Sequence, residues 1–376
     1  MQPIPMVDLK GQYLKIKPEI DAAIAAVIEE AMFIAGPQVK DFATDLARYL
    51  QVNHVIPCGN GTDALQIALM ALDLQAGDEI ILPSFTYVAT AEAAALLGLT
   101  PVFAEVNPHT FTLDPESVRQ AISPRTRALI PVHLYGQTAE MEALLNIARE
   151  HDLYLIEDNA QAIGGRYLFS DGSSKANGTM GHIGTTSFFP SKNLGCFGDG
   201  GALFTDDPQL AQRIRMIANH GQQQKYRHEI IGCNSRLDTL QAAVLQVKLP
   251  YLDAYCNARR AVADFYDRAF AGHPLLKTPL RASYSHHVFH QYTIQVQEVN
   301  RDEVKQRLAE KGIPTMIYYP TPCHRQPKFA ASSPQLPITD QLNVCILSLP
   351  IHTEMDNQTL AYISQSVLEV VAACQP

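Results

Sequence analysis

One lysine of the chain stands among unusually apolar neighbours. Lys192 lies within Ser187-Phe188-Phe189-Pro190-Ser191-Lys192-Asn193-Leu194, and glycines follow at positions 195, 198, 200 and 201. Aromatic and aliphatic neighbours desolvate an ammonium group and lower its pKa, which makes a lysine nucleophilic near neutral pH. Most lysines are solvated surface groups, so the prediction of a reactive lysine depends on the apolar neighbours of Lys192. The pattern indicates a lysine able to form a Schiff base.

A carboxylate follows a buried-looking apolar run earlier in the chain. Residues 153–156 read Leu-Tyr-Leu-Ile, and Asp158 comes two residues after them. A carboxylate at the end of a central strand is placed to pair with a protonated ring nitrogen. Because Gln161 lies three residues further on, the same pattern is also typical of a capping box, which needs no ligand. The sequence leaves both interpretations open.

A glycine turn lies between a strand-like and a helix-like segment. Residues 59–65 read Gly-Asn-Gly-Thr-Asp-Ala-Leu, which places Gly61 and Thr62 at the start of the helix. Unpaired backbone N–H groups and the positive end of the helix dipole make such a turn an anion site. The alternative is an ordinary turn with Thr62 or Asp63 as the helix cap.

These three patterns together match one cofactor, pyridoxal 5'-phosphate (PLP). The glycine turn and Ser187 suit its phosphate, Asp158 its ring nitrogen and Lys192 its aldehyde. A carboxylate keeps the pyridine ring protonated, and the protonated ring withdraws electrons from the reacting carbon. Tyr87 is the candidate for stacking on the ring, with a tyrosine buried in the core as the alternative.

The elements that would position these residues read as an α/β fold. Between residues 54 and 205, short apolar runs alternate with helical stretches, which indicates a mostly parallel sheet. The runs lack a period-2 alternation, as strands buried on both faces do. Ligands of such sheets bind beyond the carboxyl ends of the strands, where the polar residues described above lie. A long helical pattern over 237–270 leads into a smaller α+β region.

Length and composition are consistent with two domains. The chain has 376 residues, 47% of them hydrophobic, and domains usually hold about 100–200 residues. We predict a large PLP-binding domain over 15–255 and a small C-terminal domain over 256–376, with residues 1–14 packing nearby.

Charge and targeting signals narrow the class of protein. A net charge of −9 argues against a general nucleic-acid binder. No apolar run reaches the roughly 18 residues of a membrane helix, and the N-terminus does not resemble a signal peptide. We therefore expect a cytoplasmic protein that binds neither nucleic acid nor membranes.

Cysteine and histidine patterns do not predict a metal site. The seven cysteines are scattered without a C-x-x-C motif, which predicts free thiols. One tight histidine cluster, His286-His287-x-x-His290, has no acidic residue beside it, so we expect a surface or interface role and no bound metal.

The chain resembles the DegT/StrS family of sugar aminotransferases, which are PLP enzymes of fold type I. The resemblance spans about residues 5–350 and is most specific in the lysine segment 187–201 and in residues 232–243. It implies an aspartate aminotransferase-like fold, with a mostly parallel seven-stranded sheet in the large domain and a smaller α+β C-terminal domain.

The family resemblance also implies a role for each matching residue. Lys192 is expected to form the Schiff base, Asp158 to meet the pyridine nitrogen, Gln161 to approach the ring hydroxyl, Gly61, Thr62 and Ser187 to bind the phosphate, and Tyr87 to stack on the ring.

A homodimer with composite active sites follows from the same resemblance. Asn234 is expected to reach the phosphate of the cofactor in the neighbouring subunit. The alternative for residues 234–238 is a plain helix start, with Ser235 as the cap and Asp238 three residues on.

Within the family, the sequence of residues 187–201 and 234–243 is most similar to that of enzymes that aminate UDP-2-acetamido-3-oxo-glucuronate. This similarity implies L-glutamate as the amino donor, pyridoxamine phosphate as the product of the first half-reaction and a role in polysaccharide biosynthesis, including lipopolysaccharide O-antigen. Tyr318 and Tyr319 are expected to meet the sugar. His133, just after an apolar run, is a candidate to line the pocket or to be a satisfied core histidine.

Four alternatives remain open at this point. One is amination of a dTDP-linked keto-6-deoxysugar at carbon 3 or 4. Related sugar 3-dehydrases carry histidine at the lysine position, so Lys192 disfavours that reaction. A desulfurase would need Cys323 as nucleophile. A regulatory or binding protein would keep the fold without the catalysis.

Overall fold

The chain alternates strands and helices through most of its length in the computed structural model, which describes residues 3–332 and 334–375. The strands of this part are β1 His54–Cys58, β2 Glu79–Pro83, β3 Thr100–Ala104, β4 Thr126–Leu129, β5 Tyr154–Asp158, β6 Arg166–Leu168, β7 Ser174–Ala176, β8 Ile183–Ser187, β9 Gly201–Thr205, β10 Gln222–Gln224, β11 Arg227–His228, β12 Leu276–Lys277, β13 Ser285–His286, β14 Tyr292–Val296 and β15 Ile346–Leu349.

The helices pack on both faces of the main sheet and in the C-terminal region. They are α1 Leu9–Lys15, α2 Lys17–Glu30, α3 Pro37–Leu50, α4 Gly61–Ala71, α5 Ala89–Leu96, α6 Pro115–Ala121, α7 Met141–Glu150, α8 Pro208–Ala218, α9 Thr239–Lys248, α10 Leu252–Phe270, α11 Arg301–Glu310, α12 Pro337–Cys345 and α13 Asn357–Ala373.

A seven-stranded sheet with the order β1-β9-β8-β5-β4-β2-β3 forms the centre of the larger region. Every neighbouring pair is parallel except for β9, which runs antiparallel to both β1 and β8. The middle of β2 is fully buried at Ile80, Ile81 and Leu82, as expected for a strand covered on both faces. The predicted α/β fold with a mostly parallel sheet is confirmed.

The strand directions bring the predicted site residues to one edge of the sheet. Strands β1, β2, β4, β5 and β8 point the same way, so their carboxyl ends meet at that edge. The glycine turn follows β1, residues 84–88 follow β2, and Asp158 and Ser187 are the last residues of β5 and β8. Topology alone therefore assembles residues that are far apart in the chain.

The long helical pattern over 237–270 is two helices and not one. Helix α9 ends at Lys248, and a 3-10 turn over Leu249–Tyr251 separates it from α10. Pro250 lies in this turn, and proline lacks the N–H that a continuous helix would need there. Helix α9 begins at Thr239, so the alternative of a helix start capped by Ser235 is wrong.

Helix α10 links two hydrophobic cores. Its Cys256 packs in the core of the larger region, whereas Val262 and Phe270 pack in a second core with the three-stranded sheet β12-β14-β15. Ile4 packs against this second core. Later residues return to the larger region, because β13 pairs with β6. The division at 255/256 stays a prediction, since one helix serves both cores.

No helix within residues 3–332 and 334–375 is both long enough and apolar enough to cross a membrane. All seven cysteines are free thiols.

Candidate active site

A cavity of about 500 Å³ opens at the carboxyl edge of the seven-stranded sheet. This volume falls in the range of small-molecule and cofactor sites. The residues predicted from the sequence that line it are Gly61, Thr62, Tyr87, Asp158, Gln161, Ser187, Lys192, Tyr318 and Tyr319.

Lys192 sits in the loop after β8, held against the cavity wall. Its backbone N–H donates to the Phe189 carbonyl at 2.8 Å. Desolvation lowers the pKa of Lys192 to about 8, although the nearby Asp158 carboxylate opposes the shift. The same loop is anchored by Lys248, whose Nζ donates to the Gly195 carbonyl at 2.6 Å. The apolar surroundings inferred from the sequence therefore act on this amine as expected.

Asp158 is buried and fixed by hydrogen bonds at both carboxylate oxygens. Thr90 Oγ1 donates to Oδ2 at 2.8 Å, and the Ala160 N–H donates to Oδ1 at 3.1 Å. Residues 160–164 form turns and not a helix, so the capping-box alternative is wrong. A fixed carboxylate at the cavity wall suits a protonated ring nitrogen.

The glycine turn forms a tight cradle with the end of β8. Asn60 caps helix α4, because its side chain accepts from the Asp63 N–H at 2.8 Å. The alternative of Thr62 or Asp63 as the cap is therefore wrong. A β-carbon placed on Gly61 would lie 2.8 Å from the Ser187 β-carbon, so only glycine allows this approach. The first N–H groups of α4 and the Ser187 hydroxyl fit a phosphate at this place.

Tyr87 is 55% exposed and contributes to the cavity wall, so the alternative of a buried core tyrosine is wrong. Its ring centroid lies 5.5 Å from that of Tyr319, at 43°. Gln161 Nε2 donates to the Tyr319 hydroxyl at 3.1 Å, and Gln161 Oε1 accepts from the Tyr135 N–H at 2.8 Å. The aromatic residues and Gln161 thus form one connected wall.

The loop that carries Tyr318 and Tyr319 is tied to the residues after β2. The Cys323 N–H donates to the Ser84 carbonyl at 3.0 Å, and Asn343 Nδ2 donates to the Tyr319 carbonyl at 2.6 Å. Cys323 itself is buried, and desolvation raises the pKa of its thiol to about 12. A buried thiol that stays protonated does not suit a desulfurase nucleophile.

His133 lies in the core and not at the cavity. Its side chain is fully buried, Nδ1 accepts from the Ala139 N–H at 3.2 Å, and Nε2 donates to Glu157 at 2.9 Å. The Glu157 carboxylate also accepts from the N–H groups of Gly178 and Gly181, at 2.8 and 2.6 Å. The expectation that His133 meets the substrate is corrected, because both ring nitrogens are used within the core.

Asn234 is exposed and lies outside the residues that line this cavity. Its neighbour Ser235 braces the glycine turn, since Ser235 Oγ accepts from the Gly59 N–H at 2.9 Å and donates to Asp63 at 2.6 Å. The role of Asn234 at a neighbouring subunit stays a prediction.

Several cavity residues were missed by the sequence patterns. Thr90, Asp199, His290 and Gln291 line the cavity, and Thr90 contacts Asp158 directly. His290 belongs to the histidine cluster for which a surface or interface role was expected, and the surface expectation is wrong for His287 and His290, which are both buried. In the described part of the chain, no group of three or more His, Cys, Asp or Glu side chains is arranged to hold a metal ion. The one feature of the sequence that could have pointed to His290 is its position just before the strand β14.

Comparison with known proteins gives a consistent result over nearly the whole chain. A family model described as the DegT/DnrJ/EryC1/StrS aminotransferase family matches residues 14–368. A Geobacillus stearothermophilus protein named pleiotropic regulatory protein is 45% identical, over 97% of this chain and 98% of its own.

Two further relatives are named for their sugar substrates or products. A Pseudomonas aeruginosa UDP-2-acetamido-2-deoxy-3-oxo-D-glucuronate aminotransferase is 43% identical, over 96% of this chain and 98% of its own. A Streptomyces venezuelae dTDP-3-amino-3,4,6-trideoxy-alpha-D-glucose transaminase is 42% identical, over 97% and 96%.

Solved structures share the fold. The S. venezuelae protein DesV in complex with a ketimine intermediate superposes with a TM-score of 0.94, at 42% identity and over 99% of both chains. The Bacillus subtilis protein ntda with bound cofactor PMP superposes with a TM-score of 0.88, at 31% identity, over 95% of this chain and 82% of its own.

Proposed function

Because the chain belongs to the DegT/DnrJ/EryC1/StrS family of PLP-dependent sugar aminotransferases, we propose that Lys192 is its cofactor-bound lysine and a UDP-linked 3-keto sugar its acceptor. The observation that carries the proposal is the cavity itself. It joins a desolvated lysine, a fixed carboxylate and a glycine cradle at one sheet edge.

Each part of the cavity has a distinct task in this proposal. Bound PLP supplies an aldehyde that takes up the amino group and a ring that withdraws electrons. Gly61, Thr62 and Ser187 hold the phosphate, and Asp158 keeps a proton on the ring nitrogen. Gln161 and Tyr87 fix the orientation of the ring.

Lys192 then acts as the base that moves protons. Once its amine is free, Lys192 would take a proton from the α-carbon of the amino donor and deliver it to the carbon on the other side of the amino nitrogen, which is the carbon of the PLP aldehyde. A base with a pKa of about 8 is well matched to transfer at neutral pH. In the second half-reaction the same amine moves a proton in the opposite direction, toward the sugar carbon.

We propose UDP-2-acetamido-3-oxo-glucuronate as the acceptor, L-glutamate as the donor and polysaccharide biosynthesis, such as that of lipopolysaccharide O-antigen, as the context. The support is the 43% identity to the P. aeruginosa enzyme of that name. Tyr318 and Tyr319 line the cavity and are the proposed sugar contacts. The same proposal includes a cytoplasmic homodimer, in which Asn234 contacts the phosphate of the cofactor bound to the neighbouring subunit.

A dTDP-linked keto sugar is the second candidate. The S. venezuelae transaminase is 42% identical, so overall similarity does not separate the two nucleotides. The G. stearothermophilus relative, at 45% identity, is named as a regulatory protein, and that name describes the relative alone. A measured reaction of the present protein with glutamate would distinguish an enzyme from a binding protein.

Two half-reactions test the proposal. We expect L-glutamate to bleach the visible absorbance of the purified PLP-bound protein. We then expect UDP-2-acetamido-3-oxo-glucuronate to restore it in a single turnover, faster than dTDP-linked 3-keto or 4-keto sugars do. Restoration by a dTDP sugar alone would overturn the nucleotide assignment, and failure of every keto sugar would overturn the acceptor class.

A further inference from the structure

The segment over residues 317–321 carries Tyr318 and Tyr319 along the cavity wall. It lies outside helices and strands, and within the described residues no main-chain hydrogen bond reaches it. Side chains hold its backbone. The Tyr135 hydroxyl donates to the Tyr318 carbonyl. Asn343 Nδ2 donates to the Tyr319 carbonyl at 2.6 Å. The places of the two aromatic rings therefore depend on these side-chain contacts.

Tyr135 also contacts the part of the wall that faces the cofactor. Its N–H donates to Gln161 Oε1 at 2.8 Å, and Gln161 Nε2 donates to the Tyr319 hydroxyl at 3.1 Å. Because the amide oxygen of Gln161 is already occupied, its NH2 group is directed toward Tyr319. The contacts of Tyr135 thus fix both Gln161 and the segment 317–321.

The conformation of Tyr135 is itself unusual. Its φ is 59°, in the left-handed region that an aromatic residue rarely adopts. Residues in such conformations cluster at functional sites, where the surroundings hold them in place. The buried ring packs edge-on against Phe85 and Phe111, with centroids 6.4 and 5.7 Å away. Desolvation raises the pKa of Tyr135 well above its ordinary value, so the hydroxyl stays protonated and remains a donor.

We propose that Tyr135 is a positioning residue for the acceptor sugar, because its hydroxyl and its N–H hold Tyr318 and Gln161 in one arrangement of the cavity wall. The inference rests on the proposed function, in which Tyr318 and Tyr319 are the sugar contacts. Tyr135 lies outside the residues that line the cavity, so it acts through these neighbours. Loss of its hydroxyl weakens sugar binding and leaves the proton transfers of Lys192 intact.

The kinetic test separates the two half-reactions. Tyr135→Phe removes the hydroxyl and keeps the ring and the N–H. We expect the keto-sugar concentration for half-maximal recovery of absorbance to rise about tenfold, with the rate of bleaching by L-glutamate within about twofold of wild type. Equal losses in both half-reactions, or no loss in either, would overturn the inference.

A second measurement uses no substrate. Amide hydrogen exchange of the peptide 316–323 should be faster in Tyr135→Phe, since the segment loses one of its contacts. Asn343→Leu removes the neighbouring contact, so it should show both effects and answers the same question if Tyr135→Phe does not fold. Unchanged exchange of this peptide overturns the inference, whereas failure of every keto sugar with the wild-type protein overturns the proposed function alone.

Tyr266 provides the matched control. Its buried hydroxyl also donates to a carbonyl, that of Pro350 at 2.9 Å, but it lies in the second core. Tyr266→Phe should leave the sugar dependence and the exchange of the peptide 316–323 unchanged. The same two effects in Tyr266→Phe would show a general loosening of the fold and would also overturn the inference.

Discussion

Replacement of Lys192 with alanine is expected to abolish turnover while leaving PLP bound without a covalent link. The substitution removes both the amine that holds the aldehyde and the base that moves the proton, so a loss on the order of 10⁴-fold or more is expected. The phosphate cradle at Gly61 and Ser187 and the Asp158 carboxylate remain, which retains part of the cofactor affinity. Single-turnover absorbance with glutamate and equilibrium dialysis of the cofactor measure the two effects.

Lys175 offers a control for this substitution, because it lies on β7 and is exposed. Lys175→Ala should show wild-type turnover and cofactor content. Wild-type turnover in Lys192→Ala would show that another group holds the cofactor.

Replacement of Asp158 with asparagine is expected to cause the second-largest loss of reaction rate. Asparagine keeps the size of the side chain and an acceptor for Thr90, but it cannot hold a proton on the ring nitrogen. Loss of one such preorganised interaction costs on the order of 10²–10³-fold in rate. Stopped-flow measurement of the glutamate half-reaction, at saturating cofactor, separates this loss from weaker binding.

Asp152→Asn is the control, because Asp152 lies in the turn two residues before β5. Asp152 is exposed and has a φ of 51°, a conformation that asparagine tolerates well. This variant should react as the wild-type protein does. An Asp158→Asn protein with an unimpaired half-reaction would show that the carboxylate does not serve the ring nitrogen.

Much of the site could be predicted from sequence because its residues end strands or open a helix. Apolar runs without alternation predicted the buried strands, and the carboxyl ends of parallel strands meet at one edge. Asp158 and the turn at Gly61 were therefore placed correctly by topology. Lys192 was identified by its apolar neighbours, whose effect on its pKa has the expected direction.

The remaining features depend on contacts between distant segments. His133 follows a strand, as several residues of the cavity wall do, but a partner in the next strand, Glu157, satisfies it within the core. His290 reaches the cavity only because Gly136 lets a later segment pack against it: a β-carbon on Gly136 would lie 2.8 Å from the Phe289 nitrogen. The interruption between α9 and α10 at Pro250 could have been predicted from that proline, but the helical periodicity continues across it. Periodicity describes one element at a time, so it does not report such packing.

Reduction of the PLP-bound protein with borohydride, followed by peptide mass spectrometry, tests the central claim most directly. Lys248 is an internal comparison, because burial also lowers its pKa to about 8 although it lies outside the residues that line the cavity. We predict that the reduced cofactor is found on Lys192 and not on Lys248. Cofactor attached to Lys248 or to another lysine, or no covalent attachment at all, would contradict the assignment of Lys192.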